Sequence, residues 1–304
     1  MANEILYSGI GDLTVAELLH KELQFLLHDP TDLRTTMTEM SFSPSGSSAL
    51  KIPQIYPNDV MTAPGEDTDP GNTALTDASF LLTIAQYRLI RAVSDLAQIT
   101  GTDGAIDIEK LAALMKMSAD RTLMTMLTAL FPSLSNTVGT TTVNLDVDDI
   151  FDAMFQLTAS LAMPPFYCVL YPVQFTDFQS SLRGEGGSTQ FTAPTAEMLS
   201  LKGPGLKGMW NGVEFWTDSS VPTANVGADS AGAMYSQAAF AYTEADIVQA
   251  LGSHVMNFQA PDGLKILVEE ERDGRKGRTD IIGHYYPAVS EALDGAGVGI
   301  VTDR

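Results

Sequence analysis

The chain has 304 residues, 44% of them hydrophobic and 18% charged, which supplies a sizeable core and argues against wholesale disorder. Its net charge of -21 argues against a nucleic-acid-binding surface, because a polyanion would be repelled. There is no charged-then-apolar leader and no run of about 18 apolar residues, so neither export nor a helical membrane span is expected. The single cysteine, Cys168 in "FYCVLY", reads as a buried thiol in a reducing compartment.

In chain order, "TVAELLHKELQFLLH" (14–28) places Val15, Leu18, Leu19, Leu23, Leu26 and Leu27 at helical spacing, with Asp29-Pro30 as the stop. From Thr35 to about Ala78 the chain reads as extended, punctuated by Pro44, Pro53, Pro57, Pro64 and Pro70. Within it, "APGEDTDPGNTALTDASF" (63–80) holds two prolines, two glycines and four carboxylates, and no lysine or arginine occurs from Ile52 to Tyr87. A segment of this kind cannot bury itself, and so long an insert in a compact domain is functional or disordered. The run "FLLTIAQYRLI" then predicts one strand.

The longest predicted helix is 107–131, with Ile108, Leu111, Met115, Ala119, Leu123, Met126 and Leu130 along one stripe. Asp107 would cap it and Pro132 would forbid its continuation, giving a beam of about 37 Å. A second amphipathic helix starts near Asp146, "FYCVLY" follows as a buried strand, and "PVQFTDFQSSLRG" is a helix with Pro172 at its first position and Gly184 past its end. "GVEFWTD" is a strand, and "VPTANVGADSAGAMYSQAAFAY" reads as a loop leading into small-residue packing. "LKILVEEERDGRKGRTDIIGHYY" reads as two strands joined by a basic turn. Strand–helix alternation of this kind implies a mixed α/β layer, an α+β fold without internal repeats.

Catalytic templates fail. "GADSAG" (227–232) is one residue off a nucleophile elbow and lacks a supporting histidine or acid pattern. "DTDPGNTALTD" (67–77) has glycine at the fifth position of a calcium loop and Ala78 at the twelfth, so it reads as a solvated acidic loop. "HKELQFLLH" (20–28) has the wrong histidine spacing for zinc. Asp148, Asp149 and Asp152 open a helix, where capping and the macrodipole explain them. "GAGVGI" (295–300) is followed by too little chain for a dinucleotide-binding helix. Arg272, Arg275, Lys276 and Arg278 concentrate positive charge in an acidic chain, either as a solvated hairpin tip or as a contact for an acidic surface of another chain.

The order of these pieces resembles the major capsid proteins of tailed bacteriophages, the Hong Kong 97-type fold. "NTALTDASFLLTIAQYRLIRAVSDLAQ" with the long helix after it resembles that family's return strand and spine helix. "VLYPVQFTDFQSSL" is similar to the strand and helix at the heart of its A-domain. "GVEFWTDSSVPTANVGADSAGAMYSQAAFAY" is similar to its strand, loop and small-residue segment, and "LVEEERDGRKGRTDIIGHYYPAVSEALDGAGVGIVTD" to its C-terminal strands. The resemblance implies an N-arm (1–36), an E-loop hairpin (37–92), a P-domain (93–140 and 241–287) and an A-domain (141–240 and 288–304).

It also implies a subunit that self-assembles into hexamers and pentamers of an icosahedral head. Such a head encloses double-stranded DNA without reading its sequence, and uses no cofactor, metal or membrane. Implied partners are a separate scaffolding protein, a portal and a decoration protein. The implied location is the virion, after assembly in the host cytoplasm. Scaffolding is assigned to a separate protein, or the chain is a mature form, because the N-arm begins almost at Met1. No covalent cross-link is expected, since Lys51 near the base is the arm's only lysine. On this reading the acidic arm (Glu66, Asp67, Asp69) and the basic tip (Arg272, Arg275, Lys276, Arg278) are complementary parts of one inter-subunit contact. An encapsulin-like compartment shell would share the fold. A soluble α/β enzyme with an acidic lid is the reading from another class.

Overall fold

The computed structural model describes residues 4–5, 33–42, 47–55, 77–95, 108–184, 191–203, 205–245, 257–259 and 265–304. The predicted helix at 14–28, the calcium-like loop, the 20–28 histidine pair, Asp107 and the arm carboxylates Glu66, Asp67 and Asp69 lie outside the described residues. The fold is mixed α+β, with four sheets and no strand shared between sheets among the described residues.

The first strands are β1 (Glu4–Ile5), β2 (Thr38–Glu39), β3 (Ala49–Ile55), β4 (Asp77–Thr83) and β5 (Tyr87–Ser94). β3 and β4 form an antiparallel hairpin in which Leu50 faces Leu82 and Ile52 faces Phe80. The alternate pairs, Lys51 with Leu81 and Pro53 with Ser79, are exposed. This period of two buries one face: Leu82 packs with Ala241 and Ala288, so the base of the hairpin is seated on its own chain. Pro53 is tolerated because a two-stranded ribbon consists of edges.

The single strand predicted over 80–90 is therefore two. Ile84 donates to Ser48 O and Ala85 to Pro287 O, and β5 leaves for a different sheet. The register of buried Leu82 and half-buried Phe80 and Ile84 gives way to exposed Gln86 and Arg88 at the break, where the hydrogen-bonding partner also changes.

Pro132 decides where the long helix α1 (Ile108–Thr128) ends. A proline ring clashes with the carbonyl four residues back, here that of Thr128, and offers it no N–H. The helix stops there, three residues short of the expected end, and the chain continues as a 3₁₀ turn, Phe131–Ser133. At 21 residues it is about 32 Å long. Met115, Ala119, Leu123, Met124 and Leu127 are buried along it, whereas the expected Met126 is half-buried.

After β6 (Thr137–Val138) comes α2 (Val147–Ala159), which starts where expected; Asp146 is its N-cap and Asp149 its capping-box partner. Next are β7 (Phe166–Leu170), α3 (Pro172–Gly184), which includes Gly184, and the short α4 (Ala196–Lys202). The strands β8 (Leu206–Trp210), β9 (Val213–Thr217), β10 (Thr223–Ala224), β11 (Asp229–Ser236) and β12 (Phe240–Glu244) follow. The chain ends with β13 (Asn257–Gln259), β14 (Lys265–Asp273), β15 (Arg278–Tyr285), β16 (Pro287–Glu291) and β17 (Gly297–Asp303).

One sheet has the order β1-β5-β15-β14-β13, and a second is β6-β17-β11-β7-β9-β8 with β10 on β11. A third, β16-β12-β2, lies beneath the hairpin.

The segment read as a loop into small-residue packing contains β11 and β12. β11 is a strand of the seven-stranded sheet, with all eight residues buried. Its alanines, glycine and serines have low strand propensity, but a strand covered on both faces at close quarters requires them. A Cβ on Gly232 would lie 2.8 Å from Val169 O and 3.0 Å from Gln174 Oε1.

Cys168, Leu170, Met234 and Ile300 point to one face, under α2 and α3. Tyr167, Val169, Ala233 and Tyr235 point to the other, against Leu127, Phe131 and Leu33. The same α1 packs along the five-stranded sheet, where Gly283 lets Met115 approach. The helix also packs on β16 of the third sheet, so it joins the sheets through side-chain packing.

Cys168 is fully buried, and burial pushes its thiol well above the ordinary range. A thiol-specific reagent is expected to label it only as fast as the chain unfolds. Stoichiometric labelling of the folded chain within seconds would show that β7 opens locally.

Candidate inter-subunit surfaces

The described residues hold no group of three or more His, Cys, Asp or Glu side chains placed to bind a metal. Ser230 of the "GADSAG" stretch lies inside β11 with its Oγ buried and without a hydrogen-bond partner. The one histidine among the described residues, His284, is on another sheet and pairs with Glu269 at 3.3 Å. Asp149 closes a capping box by accepting from Asp146 N at 3.1 Å. Burial chiefly raises its carboxyl above the usual range, opposed by that N–H. "GAGVGI" enters β17.

The basic turn joins β14 to β15, from Asp273 to Arg278, and turns on Gly277 at φ 59°. Three of its four cations already face carboxylates of their own chain. Arg272 forks onto Asp95 at 3.2 and 2.9 Å, Lys276 lies 3.5 Å from Asp273, and Arg278 Nη2 donates to Asp280 at 3.2 Å. Burial acts to raise Asp273, but donation from the Arg275 backbone and from Lys276 holds it below the usual range. Arg275 uses its backbone N–H on Asp273 at 3.1 Å, and its side chain has no partner among the described residues. The tip is therefore a pre-folded turn that presents one uncommitted guanidinium. Of the pairs beside it, Arg272 with Asp95 and Lys276 with Asp273 face solvent, whereas Arg278 with Asp280 is half-buried.

Sequence reasoning missed two buried polar joints. Gln174, fully buried on α3, donates to Ser230 O at 2.9 Å and Thr302 Oγ1 at 2.9 Å, and accepts from Tyr171 N at 3.1 Å. It stitches a helix to two strands. The second ties the 33–37 segment to the long helix and to β11 of the seven-stranded sheet, and β15 of the five-stranded sheet to β12 of the third. Arg34 pairs with Asp120, Thr36 Oγ1 meets Tyr235 OH at 2.8 Å, and Tyr285 OH donates to Glu244 at 2.7 Å. Burial, then the Glu244 charge, pushes Tyr285 far upward, so it stays a neutral donor. Isolated polar residues in a sequence carry no mark of a partner dozens of positions away.

Exposed large apolar side chains concentrate on the seven-stranded sheet. Where β7 ends and β11 begins, Val143, Val173 and Val226 are exposed. At the opposite end, near the β8–β9 turn and the C-terminus of α2, Phe155, Leu161 and Met163 are exposed.

No family model and no curated protein sequence matches the chain. Solved structures do. The capsid of the cyanophage P-SCSP1u superposes with a TM-score of 0.61 at 12% identity, covering 91% of this chain and 90% of that one. The head of the Helicobacter pylori bacteriophage KHP40 gives 0.61 at 10% identity, covering 90% and 91%. The holo-SrpI encapsulin complex from Synechococcus elongatus PCC 7942 gives 0.60 at 12% identity, covering 91% and 88%. The chain has the tailed-phage capsid fold of the Hong Kong 97 type.

Proposed function

We propose that this chain is the major capsid protein of a tailed double-stranded DNA phage, self-assembling into hexamers and pentamers of an icosahedral head. The observation that carries the reading is the extent of the likeness to phage capsids, about nine tenths of both chains, which leaves little room for an added catalytic domain. On this reading residues 1–36 are the N-arm and 37–92 the E-loop, with the β3–β4 hairpin as its root. The long helix and the basic turn belong to a P-domain (93–140 and 241–287). The seven-stranded sheet belongs to an A-domain (141–240 and 288–304). An acidic subunit suits a container that must not adhere to its contents. Scaffolding, portal and decoration proteins are the further partners of this reading, with assembly in the host cytoplasm. The encapsulin match supports a second reading, a cellular compartment of the same fold.

The test is electron microscopy and solution mass of the purified chain, alone and co-expressed with a scaffolding protein. Closed shells or five- and six-membered rings are expected, and particle size and contents separate a phage head from an encapsulin. A compact monomer under both conditions would sink the reading.

The arm–tip pairing gives a sharper expectation. Arg275→Glu with Lys276→Glu should cut shell yield several-fold at low salt, because contacts of less than about 1 kcal/mol each repeat at every subunit. The Tm of the unassembled chain should move by less than about 2 °C. Assembly at the wild-type level would remove the pairing from the proposal.

A further inference from the structure

The loops at the two ends of the seven-stranded sheet share a backbone peculiarity. Among the described residues all five non-glycine positions with positive φ lie there: Thr142, Asn225 and Val226 at one end, Leu161 and Asn211 at the other. Asparagine tolerates this region, but a β-branched residue does so only under strain, and Val226 sits at φ 58°. Its side chain is more exposed than in an extended chain, at 110%.

The turn is held rigidly in that state. Asp229, fully buried, accepts from Asn225 Nδ2 at 2.8 Å and from Thr142 N at 2.9 Å, locking two loops together. At the other end Leu161, at φ 56°, closes the C-terminal cap of α2: its N–H donates to Thr158 O at 3.0 Å while Ala162 N donates to Leu157 O at 3.0 Å. This cap leaves Leu161 81% exposed, with Met163 and Phe155 exposed at 77% and 72%. Strain at Val226 that lifts an apolar residue into water gives the isolated chain no stability.

Resting on the shell reading, we propose that Val226 is a pre-organised knob that packs on the Phe155–Leu161–Met163 patch of the next copy of this chain. The two features lie at opposite ends of β11, eight residues or on the order of 25 Å apart, so no copy satisfies its own. Two different patches on opposite sides of one subunit make a heterologous contact, which closes into rings when the rotation allows. The contact sets the ring seam between adjacent seven-stranded sheets, separate from the arm and the basic turn.

The test uses cysteine pairs in assembled particles. Val226→Cys combined with Met163→Cys or Leu161→Cys should, after oxidation, give a ladder reaching five and six chains on non-reducing gels. Each single variant should stay monomeric there, since Cys168 is buried. Wild-type particles with no ladder from either pair would overturn the contact and leave the shell reading standing, as would dimers from Val226→Cys alone. A wild-type chain that forms no particles with its scaffold overturns both.

A second variant reads the strain. Val226→Asn should raise the Tm of the unassembled chain by about 1–2 °C, because asparagine favours this backbone, while lowering particle yield at least tenfold. Undiminished assembly of Val226→Asn would also overturn the proposal.

Discussion

A Gln174→Leu chain is expected to lose about 3–5 kcal/mol of folding free energy, read as a lower urea midpoint of the unassembled chain. Leucine nearly matches the volume, so little of the loss comes from a cavity. It comes from leaving Ser230 O and Thr302 Oγ1 without their partner where no water reaches, and Tyr171 N without its partner at a half-buried position. A buried group left unpaired costs about 1–3 kcal/mol, and two fully buried groups are involved. Thr302→Val, which removes one of these contacts and one partner, should cost only about 1 kcal/mol. Similar midpoints for the two variants would mean that the amide is replaceable by packing. The account of α3 as a stitched helix would then fail.

The second large effect is expected at Phe131. Its ring is fully buried 5.9 Å from both Tyr235 and Phe240, which meet edge to face at 4.9 Å. It sits where the long helix has ended and joins β11 of the seven-stranded sheet to β12 of the sheet beneath the hairpin. Phe131→Ala should cost about 3–5 kcal/mol, lowering the Tm by roughly 8 °C, whereas Phe131→Leu should cost under about 1.5 kcal/mol. Two resolved thermal transitions in the alanine variant would indicate that the sheets have come apart as separate folding units. A loss below about 1 kcal/mol would show that Tyr235 and Phe240 close the gap by themselves.

Local signals in the sequence were read correctly where local physics decides. α2 starts beside Asp146, Pro172 opens α3, the apolar run at 166–170 is a covered strand, and the glycine-containing basic turn joins β14 to β15. Two of the departures have physical causes that are not local. The 80–90 run divides because β4 and β5 pair with different strands, and only Gln86 and Arg88 mark the break in the sequence. β11 escaped recognition because its small residues answer to the closeness of β7 and β17 instead of to strand propensity. Helix α1 is a local case: Pro132 was legible as its stop, and the clash acts on the carbonyl of Thr128, four residues upstream.

The candidate surfaces were less legible still. The basic turn was visible as composition, but its internal pairing with Asp95, Asp273 and Asp280 required coordinates. The apolar ends of the large sheet involve residues such as Leu161 and Val226, whose exposure depends on backbone angles that no residue type announces.

Because no strand among the described residues is common to two sheets, the described part of the subunit is mechanically a set of plates joined by seams. Within each plate, deformation would break ladder hydrogen bonds and is stiff. Between plates the load falls on side-chain contacts, and the main seam is lined by Met37, Met115 and Met124, unbranched side chains that slide and refill gaps. A container made of such subunits yields at its seams under internal pressure while its plates keep their shape. Amide exchange within the sheets should then be the same in an empty particle and a full one.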